Sequence, residues 1–367
     1  MYKALSAFAT SVVALSSAAN AEQLTYGTYF KNSHNILTDA VQPYFDRISE
    51  MTDNELTFRL LTDATVVGAS TTAKGIQQGL VSMGTIIPVY TSSTFPMTSL
   101  FSNLPTLETD SLIESGTINE LFFLNCAECQ PEWGAANIKP LAMYGSSPYY
   151  LQCVEDVTSL DDLKGKRIQG TGEFGALAAK LGGLPMGLTA TELYTGMSQG
   201  TLDCVLGSAA WLDTYGLKDV VNYVVELPVG VFRPVNHMNM NAKKWNGLSD
   251  EEKNAFTSGV EKLITDAAFG YADEDQSARD NGAAAGIKFI KPFDDFIAAF
   301  DQVGKEGGER FVELAKGKGM KDPEQLLARY LELGQEWREI VANISSPEEY
   351  EQALHDRIFS KVDWSAQ

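Results

Sequence analysis

The 367-residue sequence is poor in the groups that most enzymes and nucleic-acid-binding proteins use. It contains three histidines, His34, His237 and His355, far apart in the chain, and no G-x-S-x-G or H-E-x-x-H motif. Because such motifs carry nucleophiles and metal ligands, their absence predicts a protein that is not an enzyme and needs no metal or cofactor. Lysine and arginine number 28 against 48 acidic residues, a formal net charge of −20. A chain this acidic repels phosphate backbones and anionic lipids, so we expect no nucleic acid among its partners.

Long apolar runs are also lacking after residue 21, which predicts no direct membrane insertion. The first residues differ from the rest: Lys3 precedes a short run of apolar and small residues, and Ala19-Asn20-Ala21 has the A-x-A pattern of a cleavage site. The sequence therefore predicts a secretory signal peptide over residues 1–21, cleaved after Ala21, and an exported protein.

Cysteine is scarce, with four residues in all. Cys126 and Cys129 form a C-x-x-C motif, and in an oxidising compartment this spacing favours a short structural disulfide. A zinc site would need two further ligands, and no histidine is near in sequence. Cys153 and Cys204 lie in segments typical of strands, where they are either bonded to each other or buried as thiols.

The order of predicted elements indicates an α/β protein with two units. Residues 22–90 alternate strand, helix, strand, helix and strand, and the same order restarts between residues 139 and 208. This pattern predicts two mainly parallel sheets covered by helices, with ligand bound beyond the carboxyl ends of the strands. From Ser249 onward the sequence is charged and helical. We expect domain I over 22–145 plus about 232–300, domain II over 146–231, and C-terminal helices over about 301–367 that pack on both lobes.

One glycine-rich segment, "GTGEFG" at residues 170–175, matches G-x-G-x-x-G. It lies mid-chain, and the next predicted strand does not end in an acidic residue, so a dinucleotide site is not favoured. A loop before a helix still presents backbone N–H groups, and Gly170 and Thr171 are therefore predicted donors to a solute. Aromatic residues near predicted strand ends would suit an apolar, ring-bearing or cationic solute; they are Phe30, Tyr90, Tyr149, Tyr150, Trp211 and Phe232.

Three segments carry a family resemblance: "LDDLKGKRIQGTG" from residue 160, "LGGLPMGLTATELYTGMSQGTLDCVLGS" from residue 181, and "NMNAKKWNGLSDEEKNAF" from residue 239. Together they resemble the solute-binding proteins of tripartite ATP-independent periplasmic (TRAP) transporters, the dicarboxylate-binding-protein family. The resemblance implies a two-domain periplasmic-binding-protein fold of the type II-like kind, with a hinged interdomain cleft and long C-terminal helices. It also implies a periplasmic protein that delivers a small organic solute to the small and large membrane permease subunits.

The family's solute-binding arginine at a strand end corresponds to Gln169 here, so a charged contact with a carboxylate is missing. Either Arg233 or Lys31 replaces it, or the solute is neutral or an amine rather than an ordinary organic acid. We expect Gln169 to bind the polar end of the solute. The expected wall residues are Trp211, Tyr90 and Tyr149, with further contacts from Asn32, Ser208, Phe232 and Asn236. The alternatives are the binding protein of an ABC-type importer and, less favoured, an exported enzyme.

Overall fold

The structure is a computed structural model that describes residues 22–105 and 109–365; the predicted signal peptide lies outside the described residues. The strands are β1 (Glu22–Gly27), β2 (Leu56–Leu61), β3 (Met83–Ile86), β4 (Ile138–Tyr144), β5 (Tyr149–Cys153), β6 (Arg167–Gln169), β7 (Leu184–Met186), β8 (Cys204–Ser208), β9 (Tyr223–Val225), β10 (Val235–Asn241) and β11 (Lys288–Ile290).

The α-helices fall between these strands and, in longer form, after β10. They are α1 (Gln42–Met51), α2 (Thr72–Gln77), α3 (Ser111–Glu120), α4 (Gln130–Ala135), α5 (Leu160–Leu163), α6 (Glu173–Lys180), α7 (Leu193–Ser198), α8 (Trp211–Thr214), α9 (Ala242–Gly247), α10 (Asp250–Thr257), α11 (Val260–Ala284), α12 (Asp294–Gly317), α13 (Pro323–Val341) and α14 (Pro347–Arg357). A capping box at Ser249 and Glu252 begins α10, as that sequence pattern indicates.

The strands form two sheets, one in each predicted unit. The first sheet has the order β2-β1-β3-β10-β4, and the second has the order β11-β9-β5-β8-β6-β7. Each sheet is mixed rather than mainly parallel, because β10 runs antiparallel to β3 and β4, and β5 runs antiparallel to β8 and β9. The α/β class is thus confirmed, with antiparallel strands where the chain passes between the units.

One segment belongs to a different sheet than the domain boundaries predict. Lys288–Ile290, which we assigned to domain I within a helical region, is strand β11 and pairs in parallel with β9 of the second sheet. Both strands have three residues, so neither is long enough to show a period. Residues 288–290 are extended because they pair with β9, and no local feature of the sequence indicates that pairing.

Two crossings between the sheets lie side by side at residues 145–148 and 226–234. The backbone N–H of Ser146 donates to the Phe232 carbonyl at 3.0 Å, and that of Tyr149 donates to the Gly230 carbonyl at 2.7 Å. Helix α11 packs against β4 of the first sheet and leads into β11 of the second, so it forms a third connection. These three segments position the two sheets on either side of one cleft.

The C-terminal helices contact both units. Helix α12 packs against α6, and α13 packs against α3, where Trp337 lies so close to Gly116 that a Cβ there would be 2.3 Å from the indole ring. Both cysteine pairs are bonded: Cys126–Cys129 as predicted, and Cys153–Cys204, which joins β5 to β8 and settles the alternative that the sequence left open.

Candidate functional site

An aromatic cavity lies between the two sheets, where several strands end. Tyr29 and Phe30 follow β1, Tyr90 follows β3, and Tyr144 is the last residue of β4. The second sheet supplies Trp211, just after β8, and Tyr149 at the start of β5; the crossings and α11 complete the wall. Nine of the thirteen lining residues are aromatic, and six of these are tyrosines: Tyr29, Tyr90, Tyr144, Tyr149, Tyr215 and Tyr271.

The rings that the second unit and the crossing supply contact one another. Tyr149 stacks on Phe232 with ring centroids 5.9 Å apart and planes within 7°, and it meets Trp211 edge-on at 5.0 Å. Trp211 in turn meets Tyr215 at 5.6 Å. Offset-stacked and edge-to-face arrangements are the favourable ones for aromatic pairs. The cavity that remains is about 30 Å³, room for about two waters, so an organic solute enters only if the lining residues of the two units move apart.

No charged residue of the described ranges lines the aromatic cavity. Burial is the largest cause that raises the pKa of all six tyrosines, and neighbouring phenols and carboxylates raise several of them further. The phenols therefore stay protonated at neutral pH, and the cavity presents ring faces and neutral hydroxyl groups. The Nε1–H of Trp211 is buried and has no partner among the described residues, which leaves one donor for a ligand.

The position of Trp211 depends on two features of its surroundings. A Cβ on Gly207 would lie 2.4 Å from the Trp211 ring, so glycine is needed for this ring to pack on β8. Behind the wall, Oδ1 of Asp275 on α11 accepts from the backbone N–H of Ala210 at 3.0 Å and from the hydroxyl of Ser208 at 2.9 Å. Burial is the largest cause that raises the pKa of Asp275. This carboxylate fixes the residue that precedes Trp211.

A second acidic residue, Glu274, lies outside the lining. Burial, followed by the charges of Asp39, Asp275 and Asp213, raises the pKa of Glu274 to about 7. The Thr214 hydroxyl donates to its Oε1, whereas Oε2 is buried without a partner among the described residues. Since Glu274 is one of the charges that raise the pKa of Tyr215 and Tyr271, it makes the potential at this side of the cavity more negative.

Comparison with known proteins gives the family. The profile of bacterial extracellular solute-binding proteins, family 7 (DctP), matches residues 26–313, more than three quarters of the chain. The chain belongs to this family. The resemblance stated from the sequence is thereby confirmed, and the protein is a solute-binding protein rather than a member of an enzyme family.

A curated relative and two solved structures illustrate the similarity. The ectoine-binding periplasmic protein TeaA of Halomonas elongata is 24% identical over 270 residues, covering 69% of this chain and 74% of that one. A TRAP solute-binding protein from Rhodoferax ferrireducens in complex with benzoate has a TM-score of 0.78 at 17% identity, covering 87% of this chain and 99% of that one. One from Bordetella bronchiseptica with bound mandelate has a TM-score of 0.74 at 21% identity, covering 86% and 99%. These structures show the two-domain fold.

Of the predicted contacts of this family 7 protein, four line the aromatic cavity: Tyr90, Tyr149, Trp211 and Phe232. The others do not line it. Asn32 is exposed, Ser208 donates to Asp275, and Asn236 is buried one residue after the lining residue Val235 with both amide atoms unpartnered among the described residues. In the described part of the chain no group of acids, histidines and cysteines is arranged to hold a metal, and no helix could cross a bilayer.

Gln169 is almost completely buried at the end of β6. Its Nε2 donates to the Leu188 carbonyl at 3.2 Å, two residues before the lining residue Ala190, and its Oε1 has no partner among the described residues. The amide therefore lies behind the cavity wall with one acceptor unused. Arg167, two residues earlier, is held by Asp203, with Nε to Oδ2 at 2.9 Å and Nη2 to Oδ1 at 2.7 Å.

Neither cation suggested as a replacement reaches the cavity. Lys31 is exposed, and Arg233 is buried with its Nε 3.1 Å from Oε1 of Glu114, at an angle that makes an ion pair rather than a linear hydrogen bond. Nη1 of Arg233 donates to the Val231 carbonyl, and Nη2 donates to the carbonyls of Leu104 and Pro105, each at 2.7 Å. Its guanidinium thus binds the protein itself.

The glycine-rich loop serves close packing rather than donation into the cavity. A Cβ on Gly170 would lie 2.6 Å from the Phe174 carbonyl oxygen, and the Gly170 N–H donates to the Met186 carbonyl at 3.2 Å. Gly172 has φ of 57°, and a Cβ there would lie 2.0 Å from the carbonyl oxygen of Ser102, which follows β3 in the first unit. Gly170 and Thr171 do not line the cavity, and the G-x-G spacing reflects these two close approaches.

Sequence reasoning did not single out Tyr29, Tyr144, Tyr215 or Tyr271 as cavity residues. Tyr144 is the last residue of a strand, and Tyr215 lies one helical turn after Trp211. The strand end and the helical spacing could therefore have indicated both residues from the sequence. Tyr271 lies within the 25-residue helix α11, and only the path of that helix across both units brings it to the cleft.

Proposed function

We propose that this protein captures a small organic solute between its two lobes and delivers it, unaltered, to the small and large membrane subunits of a TRAP transporter. The proposal includes export to the periplasm after removal of residues 1–21. Domain I would comprise residues 22–145 and most of about 232–300, domain II residues 146–231 together with β11, and the C-terminal helices the residues from about 301.

The observation that carries the proposal is the aromatic cavity itself. Its lining comes from both sheets and from the crossings, and it lies where ligands of open α/β sheets bind. The relatives support a small organic solute, since TeaA is named for ectoine and the two solved structures hold benzoate and mandelate. An organic acid, a neutral solute and an amine all fit that description.

We propose Tyr90, Tyr149, Trp211 and Phe232 as ring contacts, because all four line the cavity. Gln169 is proposed as a polar contact on its unused Oε1, reached when the lobes move apart and the segment at Ala190 shifts. Gln169→Ala should weaken solute binding without loss of the folded state, and an unchanged dissociation constant would remove Gln169 from the site.

The test is ligand-dependent stabilisation of protein stripped of bound solute by partial unfolding and dialysis. A true solute present at 100 times its dissociation constant should raise the free energy of unfolding by about 2.7 kcal/mol. A melting screen across organic acids, amines, betaines and polyols measures this. The proposal fails if no compound stabilises the stripped protein, or if a compound that binds is recovered chemically changed.

A further inference from the structure

The aromatic cavity offers a carboxylate no positive partner. Three arginines, on β6, in the crossing before β10 and on α12, are each paired with a carboxylate: Arg167 with Asp203, Arg233 with Glu114, and Arg310 with Glu173. Within the described ranges the lining contains no lysine, arginine or histidine. An anion that left water for this cavity would therefore lose its hydration without gaining a countercharge, which is costly.

The same lining suits a cation whose charge is covered by alkyl groups. Lys and quaternary ammonium cations are attracted to the faces of aromatic rings, most strongly where water is excluded, and an alkylated ammonium has few or no N–H donors that must be satisfied. The cavity supplies faces of tyrosine, tryptophan and phenylalanine from both lobes. Aromatic side chains that surround such a group thus replace its hydration without any charged side chain in the wall.

Charge outside the wall favours the same solute. Glu274 lies close enough to raise the pKa of Tyr215 and Tyr271, and Glu192 acts in the same way on Tyr90. Glu274, with a pKa of about 7, is roughly half ionised at neutral pH, and the field that the ionised carboxylates add is favourable to a cation and unfavourable to an anion. The unpartnered Nε1–H of Trp211 gives one donor for an oxygen atom carried by the same solute.

We propose that the solute is a small molecule with an N-alkylated ammonium group held by ring faces of the aromatic cavity, and that an oxygen of the solute accepts from Nε1 of Trp211. This inference rests on the proposed capture function and names the chemical class for that same site.

Matched probes test the inference by calorimetry on stripped protein. Choline and glycine betaine carry a trimethylammonium group, 3,3-dimethylbutan-1-ol has the same shape as choline without the charge, and benzoate represents carboxylates. We expect a trimethylammonium probe to bind at least about tenfold more tightly than its uncharged isostere, the size of a cation–π contribution. Tighter binding by betaine than by choline would identify a zwitterion, and the reverse would identify a simple cation; both support the inference.

Variants separate ring faces from general packing. Tyr215→Phe keeps the ring and should retain most of the affinity, whereas Tyr215→Leu should lose about tenfold or more for the cation. Tyr150→Leu is the control, because Tyr150 neighbours Tyr149 in β5 but lies outside the cavity with Arg279 over its ring at 5.2 Å. It should bind the probe as the unaltered protein does.

Three outcomes overturn the inference. Binding of benzoate without binding of either ammonium probe would show a carboxylate site and leave the capture function intact. Equal affinity for choline and its uncharged isostere, or equal loss in Tyr215→Phe and Tyr215→Leu, would show that ring faces contribute nothing specific to charge. Absence of binding by every probe, together with no stabilising compound in the wider screen, would remove the proposed function as well.

Discussion

Arg233 provides the sharpest test of whether a charged side chain near the cleft binds the solute or stabilises the folded protein. The sequence made it a candidate solute contact, but the structure pairs it with Glu114, whose side chain is fully buried. Burial is the largest cause that raises the pKa of Glu114, and the charge of Arg233 opposes that rise. If Arg233 becomes Met, Glu114 remains in the interior without its partner and must either stay charged or take up a proton.

The cost of Arg233→Met follows from the cheaper of these two states. Leaving a buried charge unpaired costs about 3–5 kcal/mol. Keeping a carboxyl with an ordinary pKa of 4.5 protonated costs about 3 kcal/mol at pH 7 and less than about 1 kcal/mol at pH 5. Because the pKa of Glu114 is already raised in the unaltered protein, we expect the variant to lose at most about 3 kcal/mol at pH 7 from this cause, plus the lost carbonyl contacts, and to regain most of the pH-dependent part at pH 5. The sign follows because the variant's folded state binds the proton more tightly than its unfolded state.

Urea unfolding at both pH values measures the loss, and calorimetry with a bound solute measures its effect on the site. The double variant Arg233→Met with Glu114→Gln is the control: it has no carboxyl to titrate at this position, so its stability should change less between pH 5 and pH 7 than that of Arg233→Met alone. The reasoning is refuted if Arg233→Met keeps the original stability at pH 7 but no longer binds a solute that the unaltered protein binds.

Three further predictions concern other parts of the molecule. In thermal melts, Glu274→Gln should be more stable than the unaltered protein by about 3 kcal/mol at pH 8 and by less than about 1 kcal/mol at pH 5. The reason is that the folded-state pKa of about 7 makes the stability of the unaltered protein fall as the pH rises from about 4.5 to 7. Equal gains at both pH values would contradict this. Replacing Cys153 and Cys204 by Ala should lower the free energy of unfolding by about 4 kcal/mol, against about 2 kcal/mol for replacing Cys126 and Cys129, because the first disulfide closes a much longer loop. Denaturant unfolding measures both losses, and equal losses would refute the loop argument. Gly172→Ala should weaken solute binding in calorimetry, because its Cβ meets the carbonyl of Ser102 in the first unit. The control Gly165→Ala has φ of 70° and nothing within 4 Å of its Cβ, so it should cost only the backbone strain of about 1 kcal/mol and leave binding unchanged. Equal effects of the two variants on binding would rule out the contact.

The sequence predicted the repeated alternation of strands and helices because period and glycine breaks are local properties. Five of the ring residues named from the sequence, Phe30, Tyr90, Tyr149, Trp211 and Phe232, line the aromatic cavity because they lie near the ends of strands or in a crossing; their contact with a solute stays a prediction. What failed depended on contacts distant in the chain. Arg233 resembled a ligand because nothing near it in sequence shows that Glu114 lies against it, 119 positions earlier. Strand β11 needed its partner β9 before it could be recognised.

Three buried carboxylates share one role, and this explains how a cleft wall can lack charge while its supports are charged. Asp275 holds the N–H of Ala210, directly before Trp211; Glu114 pairs with Arg233, directly after Phe232; and Glu173, directly before Phe174, pairs with Arg310 on α12. The rings of Phe232 and Phe174 both lie on Tyr149, with centroids 5.9 and 4.7 Å away. Each buried carboxylate has a partner on a different element, so each fixes the backbone beside a ring without presenting its own charge to the cavity. We therefore expect these rings to keep their orientation when the lobes separate, which is what the proposed selection of the solute by ring faces requires.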